Sequence, residues 1–245
     1  MGKADLHLHT RVSDGLATVD ELLTYVEHET DLDLIAVTDH EDVSGGQRAR
    51  DAAARGGLRF EVVVGAEVTT NQGHLLALGI ERCPRSFRSI EKTLEDVHAQ
   101  GGLAIAPHPQ SWLTRSISVR TIDRLQRLAE PGITFDALET ANPSPAGKLS
   151  RSQALQAARR WELAETGSSD AHHLLHTATG WTEYPGSGYE DLRGAIVARK
   201  TLACMSQYPS LRDVGYRRAA LGLAWGYAAT PRKMLRLGQR PLRVV

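Results

Sequence analysis

Seven of the ten histidines fall at or near the expected ends of strands: His7, His9, His40, His74, His108, His172 and His173. Asp14, Asp39, Glu67 and Asp170 join them there. Neutral imidazole and carboxylate suit borderline cations such as zinc, manganese and iron. Nine or so such residues exceed the three or four ligands that one catalytic zinc uses. A carboxylate such as Glu67 can bridge two ions, which one imidazole nitrogen cannot. The count therefore argues for two or three metals held close together. The arrangement starts at Asp5-Leu6-His7-Leu8-His9-Thr10, where the period of a strand points Asp5, His7 and His9 to one side. Two imidazoles on one strand face make a poor core and a good metal clamp.

Short apolar runs must position these residues. After the first strand come Leu34–Val37, Glu61–Val64, His74–Gly79, Leu103–Ala106, Phe135–Leu138 and Glu162–Thr166, with a last strand ending near Ala203. Helical patterns lie between most of them. Thr18 and Glu21 form a capping box that opens a helix to about Glu29. Ser44 reads as the cap of an alanine-rich helix, and Ser89–Gln100 closes on Gly101-Gly102. Val119–Leu128 and Ser150–Arg160 complete the set, before a final helix within Tyr189–Ala203. This alternation predicts parallel strands joined by crossover helices. Seven or eight units with no linker favour a closed barrel over an open sheet. The polar residues follow strand after strand, at the end of an α/β barrel that hosts active sites.

The bulk numbers narrow the function classes. Twenty-nine basic residues balance twenty-nine acidic ones, so net charge suggests no polyanionic partner. The balance is uneven. Residues 206–245 hold eight Lys/Arg against Asp213 alone, which leaves that segment at +7 and residues 1–205 at −7. Basic helices lying on an acidic body are the expectation, and contact of the tail with nucleic acid or anionic lipid is the rival. Cys83 and Cys204 are far apart and form neither a disulfide framework nor a CxxC pair, as suits a reducing compartment. No signal peptide is read, since charge begins at Lys3, and no run approaches the roughly twenty apolar residues of a spanning helix. A cytoplasmic protein without a membrane partner is expected; the oligomeric state is open.

The motifs resemble those of the polymerase-and-histidinol-phosphatase (PHP) family. The first is Asp5-Leu6-His7-Leu8-His9-Thr10 with Ser13-Asp14-Gly15, and the second is Thr38-Asp39-His40. Gly65-Ala66-Glu67 with His74, then His108-Pro109, then Ser169-Asp170-Ala171-His172 follow in order. The resemblance spans residues 3–180 and is closest to the small stand-alone phosphoesterases. Ser168 stands where the family more often has glycine. The resemblance implies a distorted (β/α)7 barrel, the metallohydrolase of residues 1–205; the residues of 206–245 carry no barrel unit and read as a basic extension of appended C-terminal helices, Tyr216–Tyr227 and Arg232–Leu237, packed on it. The resemblance also implies a trinuclear centre of Mn, Fe or Zn. His7, His9, Glu67 and Asp170 would hold one ion, Glu67, His74 and His108 a second, and Asp14, His40 and His172 a third.

The expected activity is hydrolysis of a phosphoester in a small organic or nucleotide phosphate by a hydroxide bridging two metals. Glu67, Asp170 and His172 are the expected catalytic residues. An amide or ester metallohydrolase, an oligonucleotide exonuclease and a non-catalytic metal-binding module are the rival readings. Arg11, Arg115, Lys148 and Arg151 are candidates for substrate phosphate by charge and, for arginine, by fork geometry. Glu139 and Asn142 fall where relatives keep a polar pair on the site wall. Trp112 could stack on a base or ring, and His173 or His176 could protonate a leaving group. Asp39 reads as a cap for the segment after it, or as a support for His40. An apolar series at Tyr216, Ala220, Leu223 and Tyr227 is spaced as one helix stripe. Deleting 206–245 is therefore expected to lower solubility or the melting temperature. A soluble truncation with unchanged melting and lost oligonucleotide binding would instead assign the tail to nucleic acid.

Overall fold

The computed structural model describes residues 1–217, 220, 224 and 225. Its strands are β1 (Gly2–Leu8), β2 (Leu34–Val37), β3 (Glu61–Thr70), β4 (Gly73–Leu78), β5 (Leu103–Ala106), β6 (Ala137–Ala141), β7 (Ala164–Gly167), β8 (Gly180–Tyr184) and β9 (Leu202–Met205). They form one sheet in the order β7-β6-β5-β4-β3-β2-β1-β8-β9. The helices are α1 (Val19–Glu29), α2 (Ser44–Gly56), α3 (Ile90–Ala99), α4 (Val119–Leu128), α5 (Pro145–Arg160), α6 (Tyr189–Val197) and α7 (Leu211–Val214). The result is the expected distorted α/β barrel, nearly closed.

The distortion has local causes. Only Asn71 and Gln72 separate β3 from β4, too few for the dozen or more residues a parallel crossover needs. The two strands pair as an antiparallel hairpin, and β4 also runs antiparallel to β5. Parallel pairing holds for β1–β2, β2–β3, β5–β6 and β6–β7. The sequence reading missed β8, which pairs antiparallel with both β1 and β9. Closure between β7 and β8 is made by a side chain: Thr182 Oγ1 accepts from Gly167 N–H (3.0 Å) and donates to Gly167 O (2.8 Å). At the other end of the gap Ala171 pairs with Leu8 and accepts from His9 N–H.

Helix entry follows capping chemistry. Thr18 and Glu21 make the expected box at α1, while Ser89 and Ser118 cap α3 and α4. Two boundaries differ from expectation. Helix α5 starts at Pro145, five residues before the expected Ser150, because Ser144 supplies the cap and proline suits the first turn. Val43 rather than Ser44 is the cap residue of α2. The far end of α1 is closed by Arg59, whose guanidinium donates to Val26 O and Leu32 O, both at 2.7 Å. Val26 O is among the last helix carbonyls, which find no partner within the helix, and Leu32 O lies in the segment after it.

Ala4, Leu6, Leu34, Ala36, Val63, Leu76, Leu78, Ile105, Ala137 and Ala164 meet inside the barrel, with Leu192 and Ile196 of α6 packed on them. Separate apolar clusters join the outer strand faces to α1 and α2 and to α3, α4 and α5. Strict alternation fails in β1, where the register shifts between Asp5 and Leu8. Leu6 belongs to the inner cluster and Leu8 to an outer one. Asp5 therefore does not share a face with His7 and His9. Its carboxylate accepts instead from the N–H groups of Ser169 and Ala178, each at 3.0 Å.

The helix expected over Tyr216–Tyr227 is described only in part, and Arg232–Leu237 lies outside the described residues. Of the expected stripe, Tyr216 and Ala220 are exposed, and Leu223 and Tyr227 are not described. Nearer the barrel, Tyr208 stacks on His176 with ring centroids 4.0 Å apart. Its hydroxyl lies 2.8 Å from His176 Nδ1.

His98, on α3, generates a prediction. Nδ1 lies 2.9 Å from Gly132 O and Nε2 lies 3.0 Å from Asp136 Oδ2, two acceptors. Both ring nitrogens can donate only in the imidazolium. The hydrogen bond to Asp136 raises the His98 pKa, and partial burial opposes it. A folded value above the unfolded one gives stabilisation that is complete below about pH 6.5. It is lost as pH rises through the folded value. Urea unfolding of His98→Ala should therefore show a larger deficit at pH 6 than at pH 9; equal deficits would refute the charged latch.

Candidate metal centre

Glu67 lies within β3, not after it, because the strand runs on to Thr70. Its backbone is held from both sides: N–H donates to Thr38 O (3.1 Å), and its carbonyl accepts from Glu41 N–H (3.2 Å). The side chain is buried and each oxygen faces a different set of imidazoles. Oε2 lies 3.2 Å from His7 Nε2, 3.3 Å from His9 Nε2 and 3.3 Å from His40 Nδ1. Oε1 lies 2.8 Å from His74 Nδ1 and 3.2 Å from His108 Nε2. Five histidines from four separate segments thus converge on one carboxylate.

Two aspartates complete the ring. Asp170 Oδ1 stands 3.4 Å from His7 Nε2 and 3.6 Å from His9 Nε2. Asp14 Oδ2 stands 3.5 Å from His40 Nε2 and 3.3 Å from His172 Nε2, while Oδ1 is 3.5 Å from His9 Nδ1. Four groupings have donor atoms close enough to share an ion: His7-His9-Glu67, His40-Glu67-His74, His7-His108-Asp170 and His9-Asp14-His40-His172. They overlap at His7, His9, His40 and Glu67, so they are alternatives within one cluster. His108 groups with His7 and Asp170 as well as facing Glu67, a wider role than the sequence suggested.

The donor set fits cations on two counts. His7 Nε2, His9 Nε2 and Asp14 Oδ1 are buried without a hydrogen-bond partner, although oppositely charged groups surround them. Buried polar atoms are rarely left so. The electrostatics agree. Burial would raise the Glu67 and Asp170 carboxyls, but the histidines hold both below the usual carboxylate range. Burial would lower His7, but Asp170 and Glu67 raise it well above an ordinary imidazole. The same contest with Glu67 and Asp14 pushes His40 up to about 9. The carboxylates stay ionised in a dry site and draw positive charge to its middle.

Glu139 and Asn142, expected to face substrate, are turned inward. Glu139 Oε1 lies 3.1 Å from His7 Nδ1 and accepts from Ser168 Oγ (2.5 Å). Its Oε2 accepts from His108 N–H (2.7 Å) and Asn142 Nδ2 (2.8 Å). All its acceptor capacity goes to the protein. A proton kept on His7 Nδ1 leaves Nε2 free as a ligand, the usual carboxylate–histidine support of a metal. Ser116 Oγ serves His108 Nδ1 in the same way at 2.8 Å.

Asp39 does not cap α2. Its Oδ1 accepts from Thr10 N–H (2.8 Å) and Ser13 N–H (3.1 Å), and its Oδ2 accepts from Thr10 Oγ1 (2.7 Å), so it pins the loop that carries Asp14. Gly15 ends that loop where a Cβ would lie 2.3 Å from His9 O. His108 (φ 31°) and Asp170 (φ 55°) occupy left-handed backbone, the kind of strain that clusters at functional sites. Ser116, Ser168 and Tyr208 were not legible as site supports, whereas Asp39, weighed as one, holds the loop that carries Asp14.

The other candidates lie further out. Arg115 is exposed, its guanidinium 6.0 Å from the Phe87 ring centroid, while its carbonyl accepts from His74 N–H (2.8 Å). Arg151 and Lys148 are exposed on α5, and Trp112 is 77 % exposed four residues after His108. Arg11 is exposed and bonded to Leu16 O. His176 is buried against Tyr208, and burial pulls its pKa down to about 4. Cys83 and Cys204 lie apart from the cluster, each half-buried.

A nearly closed α/β barrel whose one end gathers six histidines and two aspartates around a buried glutamate defines a metal-binding hydrolase fold. The family described as PHP-associated matches residues 148–201. An uncharacterized protein of Methanocaldococcus jannaschii is 34 % identical over 133 residues, which are 49 % of this chain and 75 % of that protein. The chain belongs to the PHP family. The 5'-3' exoribonuclease Rnm of Salmonella typhimurium is 28 % identical over 142 residues, 56 % of this chain but only 43 % of that enzyme. A two-domain Bacteroides vulgatus protein containing a predicted PHP-like metal-dependent phosphoesterase shares the fold. Its TM-score is 0.66 at 21 % identity, covering 83 % of this chain and 64 % of that one. Among the described residues no helix is long and apolar enough to cross a membrane.

Two outcomes follow for metal. Protein prepared without chelator should carry at least two transition-metal ions per chain by elemental analysis; one or none after reconstitution with Mn, Fe or Zn would refute the cluster. Glu139→Gln should weaken metal retention about 10–100-fold in competition with a chromogenic chelator, the usual cost of losing such a support.

Proposed function

We propose that the protein is a multinuclear metal-dependent phosphoesterase acting on a small organic or nucleotide phosphate. The observation that carries this reading is the division of labour on Glu67, whose two oxygens face separate groups of histidines. Bound divalent ions, with Mn, Fe and Zn suited to these donors, would supply Lewis-acid charge for the phosphoryl oxygens and an acidified water as nucleophile. His7, His9, Glu67 and Asp170 would hold one ion, His74 and His108 with Glu67 a second, and Asp14, His40 and His172 a third.

The chain's own residues define the rest of the chemistry. Glu67 and Asp170 keep their negative charge despite burial, so they retain cations and fix their spacing. Glu139 holds the His7 tautomer, and Asp39 keeps Asp14 in place through the loop between them. His172, less buried than His7 or His9, stands at the open side of the cluster beside Asp14, where a leaving group would depart. Arg115 is exposed, its guanidinium over the Phe87 ring and its backbone carbonyl bonded to His74 N–H, and it has no carboxylate within ion-pairing distance among the described residues. An exposed guanidinium without an acidic partner suits a substrate phosphate.

Oligonucleotide hydrolysis is the second reading. Trp112 and Leu113 are exposed just after His108, where a base could stack, and a relative is an exoribonuclease. The decisive assay offers metal-replete enzyme mono-, di- and cyclic phosphoesters and short oligonucleotides, beside carboxyl esters and amides. Phosphoester turnover should vanish with chelator and return with Mn. Glu67→Gln and Asp170→Asn should lower kcat roughly 10²–10³-fold, the range for losing one preorganised charge-stabilising group. Arg115→Ala should raise KM about tenfold with little change in kcat. Metal-dependent ester or amide hydrolysis without phosphoester turnover would overturn the reaction class.

A further inference from the structure

A cavity of about 350 Å³ is lined by Arg11, Leu16 and Glu21, by His173 and Leu175, and by Val214 of the C-terminal segment. Two of its walls are continuous with ligand segments. The loop from Arg11 to Leu16 carries Asp14, and His173 follows His172. The walls are tied together, since Leu16 N–H donates to His172 O (2.9 Å) and His172 Nε2 lies 3.3 Å from Asp14 Oδ2. The lining residue His173 is thus next to the ligand candidate His172, and Arg11 and Leu16 flank Asp14 on one loop.

Its polar content is specific. Arg11 is clamped: its N–H donates to Ala17 O (2.8 Å) and its Nε to Leu16 O (2.7 Å). The terminal nitrogens remain, and no carboxylate lies within ion-pairing distance of them among the described residues. Glu21, the acid on the cavity wall, gives its Oε2 to Thr18 N–H (2.7 Å) and Thr18 Oγ1 (3.0 Å), and the Arg11 charge helps to lower its carboxyl pKa from beyond ion-pairing distance. The other named walls are mainly aliphatic. A positioned guanidinium with its fork unpaired, beside apolar walls, is suited to a carboxylate or phosphate.

We propose that this cavity is a second substrate subsite, in which Arg11 binds a second anionic group of the molecule whose phosphoester lies at the metal centre. The substrate class is then a small organic phosphoester that also bears a phosphate or carboxylate, with a short linker against Leu16 and Leu175. The assignment of the cleaved end rests on the function proposed above; the subsite itself rests on Arg11.

Binding of non-hydrolysable probes separates the two. Calorimetry on the metal-replete full chain compares propylphosphonate, 1,3-propanebisphosphonate and 3-aminopropylphosphonate. The bisphosphonate should bind about tenfold more tightly than propylphosphonate, as one added charge-assisted contact allows. Arg11→Gln should erase that ratio while leaving propylphosphonate affinity and metal content as in the wild type. Arg11→Lys, which keeps the charge and loses the bond to Leu16, should retain part of the preference. It also decides the matter if the glutamine variant loses its metal. A wild-type ratio near one, a ratio that survives Arg11→Gln, no preference in folded Arg11→Lys, or tightest binding by the ammonium probe would each overturn the subsite. A retained preference with no phosphoester turnover would instead overturn the proposed reaction alone.

Discussion

A single buried carboxylate organises this barrel. Glu67 sits in the middle of a long strand, almost without solvent, with five imidazoles within about hydrogen-bonding range of its two oxygens. An isolated charge at such a depth would be neutralised by protonation. Here the surrounding histidines keep it ionised, and they come from β1, the loop after it, the ends of β2 and β5, and the start of β4. Each of those elements must arrive in register for the charge to be tolerated. The constraint therefore links the fold to the chemistry: a site that balances its charge with cations is also the place where the barrel's strands are held to a common geometry.

A layer of acidic groups behind the cluster transmits that geometry. Glu139 gathers His7, His108 N–H, Asn142 and Ser168. Asp39 grips Thr10 and Ser13, and Asp5 reaches from β1 to the Ser169 and Ala178 N–H groups. Burial pushes the Asp5 carboxyl up to about 6 even though backbone N–H donors pull it down. These carboxylates bind backbone and hydroxyl donors, so they position ligands and do not compete for ions. The left-handed backbone at His108 and Asp170 persists because such contacts over-determine it.

The two ends of the barrel differ in chemistry. Alanine, valine and leucine fill its interior beneath the site, and α6 packs against that core. The opposite end is polar and open on the side of Asp14, Arg11 and His172. The C-terminal segment borders that side through Tyr208, which stacks on His176, and Val214, which lines the cavity with Arg11.

Much of this was legible in the residues themselves. The order and spacing of HxH, SDG, TDH, GAE, HP and SDAH announce a metal cluster, because few other uses exist for so many imidazoles and carboxylates at strand ends. Capping boxes and apolar runs placed most helices and strands to within a few residues. What escaped was set by contacts remote in sequence. The side of Asp5 depends on a register shift in β1 that alternation alone does not reveal. Glu139 lies 132 residues from His7, and only the pairing of β5 with β6 and β6 with β7 turns it towards His7 and His108. The closure of the barrel by β8 and β9, and the cavity joining Arg11 to Val214, exist only once the chain has returned on itself. Residue type and local spacing carry ligand chemistry, whereas the direction a buried polar group faces is decided by which strand becomes its neighbour.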